Sequence, residues 1–161
     1  TSKAWSAPVV MMLINGSGRR QMKPIRIVVV DDSLTIRAMI ETLLERDRRV
    51  EVVGIARDGV EAIEMIRAEK PDVVTLDIAM PGKDGMTILD EIMDMEPCPV
   101  IMLSSLMRDG APIVAEAMDR GAAACFNKAM IVREATRFVT LIKSVARGLI
   151  EAEAEPVAIA A

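Results

Sequence analysis

The sequence predicts an α/β domain, a doubly wound sheet of five parallel strands, and three observations carry that reading. Short apolar runs alternate five times with amphipathic stretches between residues 25 and 148, the pattern of parallel strands joined by crossover helices. The runs are nearly continuously apolar rather than alternating, as strands covered on both faces require. Four of the five runs close on polar residues: Asp31 and Asp32, Asp77, Ser104, and Lys128.

Each element follows in order. The first strand (25–30) is Ile25-Arg26-Ile27-Val28-Val29-Val30, ending in Asp31-Asp32, with Ser33 as N-cap of the first helix. That helix carries Ile36, Met39, Ile40, Leu43 and Leu44 on one face and Arg37, Glu41, Glu45 and Arg46 on a solvated one. The second strand (51–56) is followed by Asp58-Gly59 and a helix with Val60, Ile63 and Ile66 inward, stopped by Pro71. The third strand (73–76) runs into Asp77, and a loop with Pro81-Gly82 and Asp84-Gly85 leads to a helix around Ile88, Leu89, Ile92 and Met93.

Pro97 closes that helix before the fourth strand (100–103), which ends at Ser104-Ser105. A fourth helix, α4, is expected over 112–120, stopped by Gly121. The fifth strand, β5, is expected over 123–126 before Asn127-Lys128, and a last helix, α5, over 138–149, using Phe138, Leu141, Ile142, Val145 and Leu149. Right-handed crossovers then complete the fold.

Composition narrows the function. A chain of 161 residues, 52% hydrophobic and 27% charged, matches one globular domain, and its apolar runs fall short of a bilayer span. We therefore expect no membrane insertion and a cytoplasmic location. A net charge of −4 with scattered basic residues argues against nucleic-acid binding by this chain. The absence of histidine excludes a His-based triad and any internal phosphohistidine. Cys98 and Cys125 have neither metal-ligand spacing nor a disulfide framework and read as reduced packing residues. Most of the thirteen methionines, Met39, Met65, Met93, Met102 and Met118 among them, read as core fillers.

The expected organisation is a flexible extension or leader over 1–23, a domain over 24–148 and a flexible tail over 149–161. The apolar run 9–14 is too short for a signal peptide, and Met22 is a candidate start.

In an open doubly wound sheet ligands bind outside the carboxyl ends of the strands where the chain order reverses, and an order of 2-1-3-4-5 places that point between strands one and three. Asp31, Asp32 and Asp77 would meet there. Three carboxylates in one cleft repel one another unless a cation joins them, and hard oxygen ligands suit Mg²⁺. Asp77 is then the candidate nucleophile toward a phosphoryl group, giving an acyl phosphate, with the Lys128 ammonium and Ser104 hydroxyl stabilising its oxygens.

The motifs Val28-Val29-Val30-Asp31-Asp32-Ser33, Leu76-Asp77-Ile78-Ala79-Met80-Pro81-Gly82, Asp84-Gly85, Met102-Leu103-Ser104-Ser105 and Lys128 resemble response-regulator receiver domains over residues 25 to 148. The wording around Asp77 and Ser104 is most similar to the receiver half of chemotaxis methylesterases, while no Gly-rich serine-nucleophile segment of their catalytic half follows. The resemblance implies a (βα)5 flavodoxin-like fold. It also implies Mg²⁺ held by Asp31, Asp32, Asp77 and the backbone carbonyl of Ala79, and phosphorylation of Asp77 by a partner histidine kinase. The output would be a switched partner-binding α4-β5-α5 face.

On this reading the chain is not an enzyme but an acceptor that assists its own phosphorylation and dephosphorylation. Slow autodephosphorylation is expected, because neither Ala79 nor Leu106 carries a group to orient water.

Two residues depart from the family pattern: Ala129 replaces the proline after the lysine, and Cys125 stands where the fifth strand usually carries an aromatic. A trans, rearranged loop is expected at Ala129, and either Phe126 replaces the aromatic or signalling differs. Competing readings are weaker. An Asp-x-Asp strand of haloacid dehalogenase type is absent, a Gly-rich phosphate loop is replaced by Asp31-Asp32-Ser33, and a pseudo-receiver would not need the full polar set.

Overall fold

A computed structural model describes residues 13–14, 20–21, 23–80, 82–95 and 98–148, with 13–14, 20–21 and 106–110 described by backbone alone. The expected leader and tail lie largely outside the described residues, apart from a short antiparallel pair, Leu13–Ile14 with Arg20–Gln21. Leu149 lies outside them too.

Five parallel strands, β1 Ile25–Val30, β2 Val50–Ala56, β3 Val73–Asp77, β4 Val100–Ser104 and β5 Ala124–Asn127, form one sheet in the order β2-β1-β3-β4-β5. The helices are α1 Leu34–Glu45, α2 Gly59–Glu69, α3 Gly85–Met95, α4 Leu106–Asp119 and α5 Ala135–Ala146. Successive strand residues point to opposite faces. Val28, Val30, Val74, Leu76 and Met102 pack with α2, α3 and α4, while Ile27, Val29, Val73, Ile101 and Leu103 pack with α1 and α5. Two cores on one sheet explain why the strands read as unbroken apolar runs.

Several expectations are corrected. The α4 helix begins six residues before Pro112, with Ser105 at its N-cap position; a proline suited to a first turn here sits inside the helix. Asp84 and Gly85 are the cap and first residue of α3 rather than turn residues: Asp84 Oδ1 accepts from the Thr87 backbone N–H and hydroxyl, both at 2.9 Å, and these bonds hold its carboxyl below the usual range.

Val60 is 66% exposed instead of inward. Two successive steps of three residues separate it from Ile66, and each lags the helical period by about 60°, which carries it off the buried face. Met118 is 42% exposed rather than in the core, whereas Met93 and Met102 are buried.

Candidate functional site

The carboxyl ends of β1 and β3 lie side by side, with Val30 opposite Leu76 in the parallel register. The chain leaves β1 toward β2 and leaves β3 toward β4, so a cleft opens between the two strand ends. Asp31 and Asp32 enter it from β1 and Asp77 from β3. One oxygen from each lies within 4.8 Å of the others.

The three carboxylates differ in environment. Asp32 is exposed. Asp31 is fully buried; its Oδ1 accepts from the Ser33 backbone N–H at 2.8 Å, while its Oδ2 pairs with Lys128 Nζ at 2.8 Å. Asp77 is 2% exposed, and its Oδ1 accepts from the Ala79 N–H at 3.2 Å. Burial pushes the Asp77 carboxyl up to about 6 and the Asp31 charge adds to this, against the lowering pull of Lys128 and the Ala79 N–H.

Lys128, on the first residue of a 3₁₀ turn Lys128–Met130, spans the cleft, with Nζ 2.8 Å from Asp31 Oδ2 and 2.9 Å from Asp77 Oδ2. Burial works against the ammonium, but the two carboxylates outweigh it and raise its pKa. Ser104 ends β4 one residue past the Leu103 that pairs with Asp77, and it is buried. Ala79 is exposed after β3. Asp31, Asp32, Asp77 and Lys128 are thus brought together, with Ser104 and Ala79 at adjacent strand ends; Leu106's side chain lies outside the described residues.

The cleft suits a hard divalent cation. Its donors are all carboxylate oxygens, one from each of three aspartates within 4.8 Å of one another. One ammonium serves two of the three carboxylates, so negative charge remains to be neutralised.

Two contributors escaped the sequence reading. Arg37, read as part of a solvated face, is half-buried and donates from Nη1 to the Asp31 carbonyl at 2.8 Å. Asn127 caps the lysine turn through its side chain, Oδ1 accepting from the Ala129 N–H at 3.0 Å. The signal for the first was an arginine six residues after Asp31; for the second, an Asx residue just before the lysine.

The two departures from the family pattern have structural counterparts. No cis peptide bond occurs among the described residues, so Lys128–Ala129 is trans, as expected. Phe126 is buried against Phe138 of α5, ring centroids 5.1 Å apart, while Cys125 packs on the opposite core. Phe126 therefore does not take the place of an aromatic at 125. Cys98 is buried and Cys125 half-buried against the same core, and burial pushes Cys125 up to about 11.

The family model described as response regulator receiver domain matches residues 27–140. A protein-glutamate methylesterase/protein-glutamine glutaminase of Lawsonia intracellularis is 50% identical over 97 residues, 60% of this chain and 27% of that protein. A counterpart in Caulobacter vibrioides is 49% identical over 107 residues, 66% of this chain and 31% of that protein. The crystal structure of the response regulator domain of Thermotoga maritima CheB matches with a TM-score of 0.72 and 36% identity, covering 77% of this chain and 97% of that one.

The curated relatives are enzymes by name, which overturns the expectation that the protein is not an enzyme. The chain spans about three-tenths of their length, over their receiver part alone. No helix among the described residues is long and apolar enough to cross a membrane.

Proposed function

Because this chain belongs to the response regulator receiver domain family, we propose that it accepts a phosphoryl group on Asp77 from a partner histidine kinase and that this modification switches its partner-binding face. The observation that carries the proposal is the buried Asp77 carboxylate at a strand end, with two further carboxylates within 4.8 Å and the Lys128 ammonium 2.9 Å away.

With a pKa of about 6, Asp77 is mostly ionised at neutral pH and available as a nucleophile. An Asp77 oxygen attacks phosphorus, the P–O bond forms, the P–N bond of the donor phosphohistidine breaks, and the imidazole leaves with the bonding pair. Lys128, which pairs Asp31 and Asp77 before transfer, turns one N–H toward the new phosphoryl oxygens. The buried Ser104 hydroxyl is placed to respond to them from β4.

Asp31, Asp32, Asp77 and the Ala79 carbonyl would hold Mg²⁺, which supplies positive charge against the phosphoryl oxygens when bound. Arg37, by holding the Asp31 carbonyl, keeps the first pair of ligands oriented.

The output is proposed to pass through α4, β5 and α5 to a protein partner in the cytoplasm. The identity to methylesterases favours one context in particular: residues 24–148 act as the regulatory part of a protein-glutamate methylesterase/glutaminase, in chemotaxis.

Intact mass after incubation with acetyl phosphate and Mg²⁺ tests the chemistry. A single phosphoryl gain that vanishes in Asp77→Asn and in chelator is expected. An unmodified wild-type mass, with a histidine-kinase donor as well, would refute it.

A further inference from the structure

Lysine carries four rotatable side-chain bonds, so where its backbone starts decides whether the ammonium reaches both carboxylates. At residue 129 an alanine leaves the backbone free where a proline ring would restrain it. The chain supplies a different restraint. Asn127 Oδ1 accepts from the Ala129 N–H at 3.0 Å, closing a turn around Lys128 with an N–H that proline would lack.

The turn is anchored at both ends. The Asn127 backbone pairs with Ser104 in the β4/β5 register, and Ile131, fully buried, donates its N–H to the Lys128 carbonyl at 3.4 Å.

We propose that Asn127 is the positioning residue for Lys128, acting through the Ala129 N–H to aim the ammonium at Asp31 and Asp77. This deepens the phospho-acceptor reading and rests on it. Asn127 does its work before any phosphoryl group arrives, because the Lys128 contacts it supports are already made at 2.8 and 2.9 Å.

A double-mutant cycle separates this role from a direct contact with the incoming group. Asn127→Val keeps a residue suited to a strand end and removes the acceptor; Asn127→Asp keeps the acceptor. We expect Asn127→Val to slow acetyl phosphate labelling of Asp77 about fivefold, the scale of one net hydrogen bond, and Asn127→Asp to restore most of the rate. In an Ala129→Pro background, where there is no N–H to hold, Asn127→Val should change the rate less than about twofold. An equal loss in both backgrounds, or no loss in either, overturns the proposal.

A second measurement needs neither phosphoryl group nor metal and does not depend on Ala129→Pro folding. In metal-free protein, Lys128 acetylation by an amine-reactive ester, mapped by mass, should be slow in wild type and Asn127→Asp and several-fold faster in Asn127→Val. Unchanged acetylation in Asn127→Val refutes the positioning role. A wild type that takes no phosphoryl group while Lys128 acetylation follows this pattern refutes the phospho-acceptor reading and leaves the positioning role standing.

Discussion

Thr75 lies in the middle of β3 between Val29 and Ile101, fully buried, and its hydroxyl makes no hydrogen bond. A desolvated, unsatisfied hydroxyl costs about 1 to 3 kcal/mol. Thr75→Val, nearly the same shape, should raise the denaturation midpoint; a drop beyond 1 kcal/mol would show that the hydroxyl has a partner. Asp77 and Asp47 act on stability in opposite senses. The Asp77 carboxyl is raised to about 6 in the fold, so the folded state holds that proton more tightly, and stability falls as pH rises from about 4 to about 6, by on the order of 2 kcal/mol in metal-free protein. Asp47, held at about 2 chiefly by its bond from Lys143, contributes stability above about 4 that is lost as pH falls toward 2. Urea titrations from pH 2 to 7 in chelator should therefore place a maximum near pH 4 from these two groups, and Asp77→Asn should flatten only the upper limb.

At the scale of elements, the close approach of α3 to β3 shapes the site. A Cβ at Gly85 would stand 2.2 Å from the Asp77 carbonyl oxygen and 2.7 Å from Ile78 Cα, both backbone atoms that cannot rotate away. The Gly85 N–H also donates to the Ile78 carbonyl at 3.0 Å, which ties the helix start to the chain leaving Asp77. Gly85→Ala should cost about 1 to 3 kcal/mol and slow Asp77 labelling as the strand end shifts. Gly54→Ala, where the obstacle is the flexible Met65 thioether, should cost less. Chemical denaturation of the two variants side by side checks the ordering; equal costs would mean that α3 yields as readily as a methionine tip. The α3–α4 edge is tied by Arg120, whose guanidinium pairs with Asp90 at 2.9 Å and with Glu116. As exposed pairs these contribute little stability but hold two helices of the same face together.

For the molecule as a whole, the sheet joins two cores and leaves one charged cleft at its carboxyl edge. A cation that binds only the folded cleft adds about 2.7 kcal/mol at a hundredfold excess over its Kd. Mg²⁺ should raise the melting temperature at pH 7 saturably, much less in Asp32→Asn, and hardly at pH 4, where Asp77 is protonated. A shift that is the same in Asp32→Asn would place the ion elsewhere. The bulk of this architecture is legible in the chain. Runs such as Ile27 to Val30 and Val100 to Leu103 are apolar because both sheet faces are covered, and Asp31, Asp77 and Ser104 stand out because they break those runs where a strand ends.

Periodicity reports which side of its own element a residue occupies, so the strands, four of the helices and the convergence of Asp31, Asp32, Asp77 and Lys128 followed from the sequence by itself. What stands opposite that side is decided by other elements, brought near only when the sheet is wound. Arg37 looks solvated along α1 until the Asp31 carbonyl is beside it, and Phe126 looks like a neighbour of the site until Phe138 claims it. The start of α4, the exposure of Val60, and the bond from Ala129 to Asn127 likewise belong to the tertiary structure, because each depends on backbone placement that local spacing does not specify.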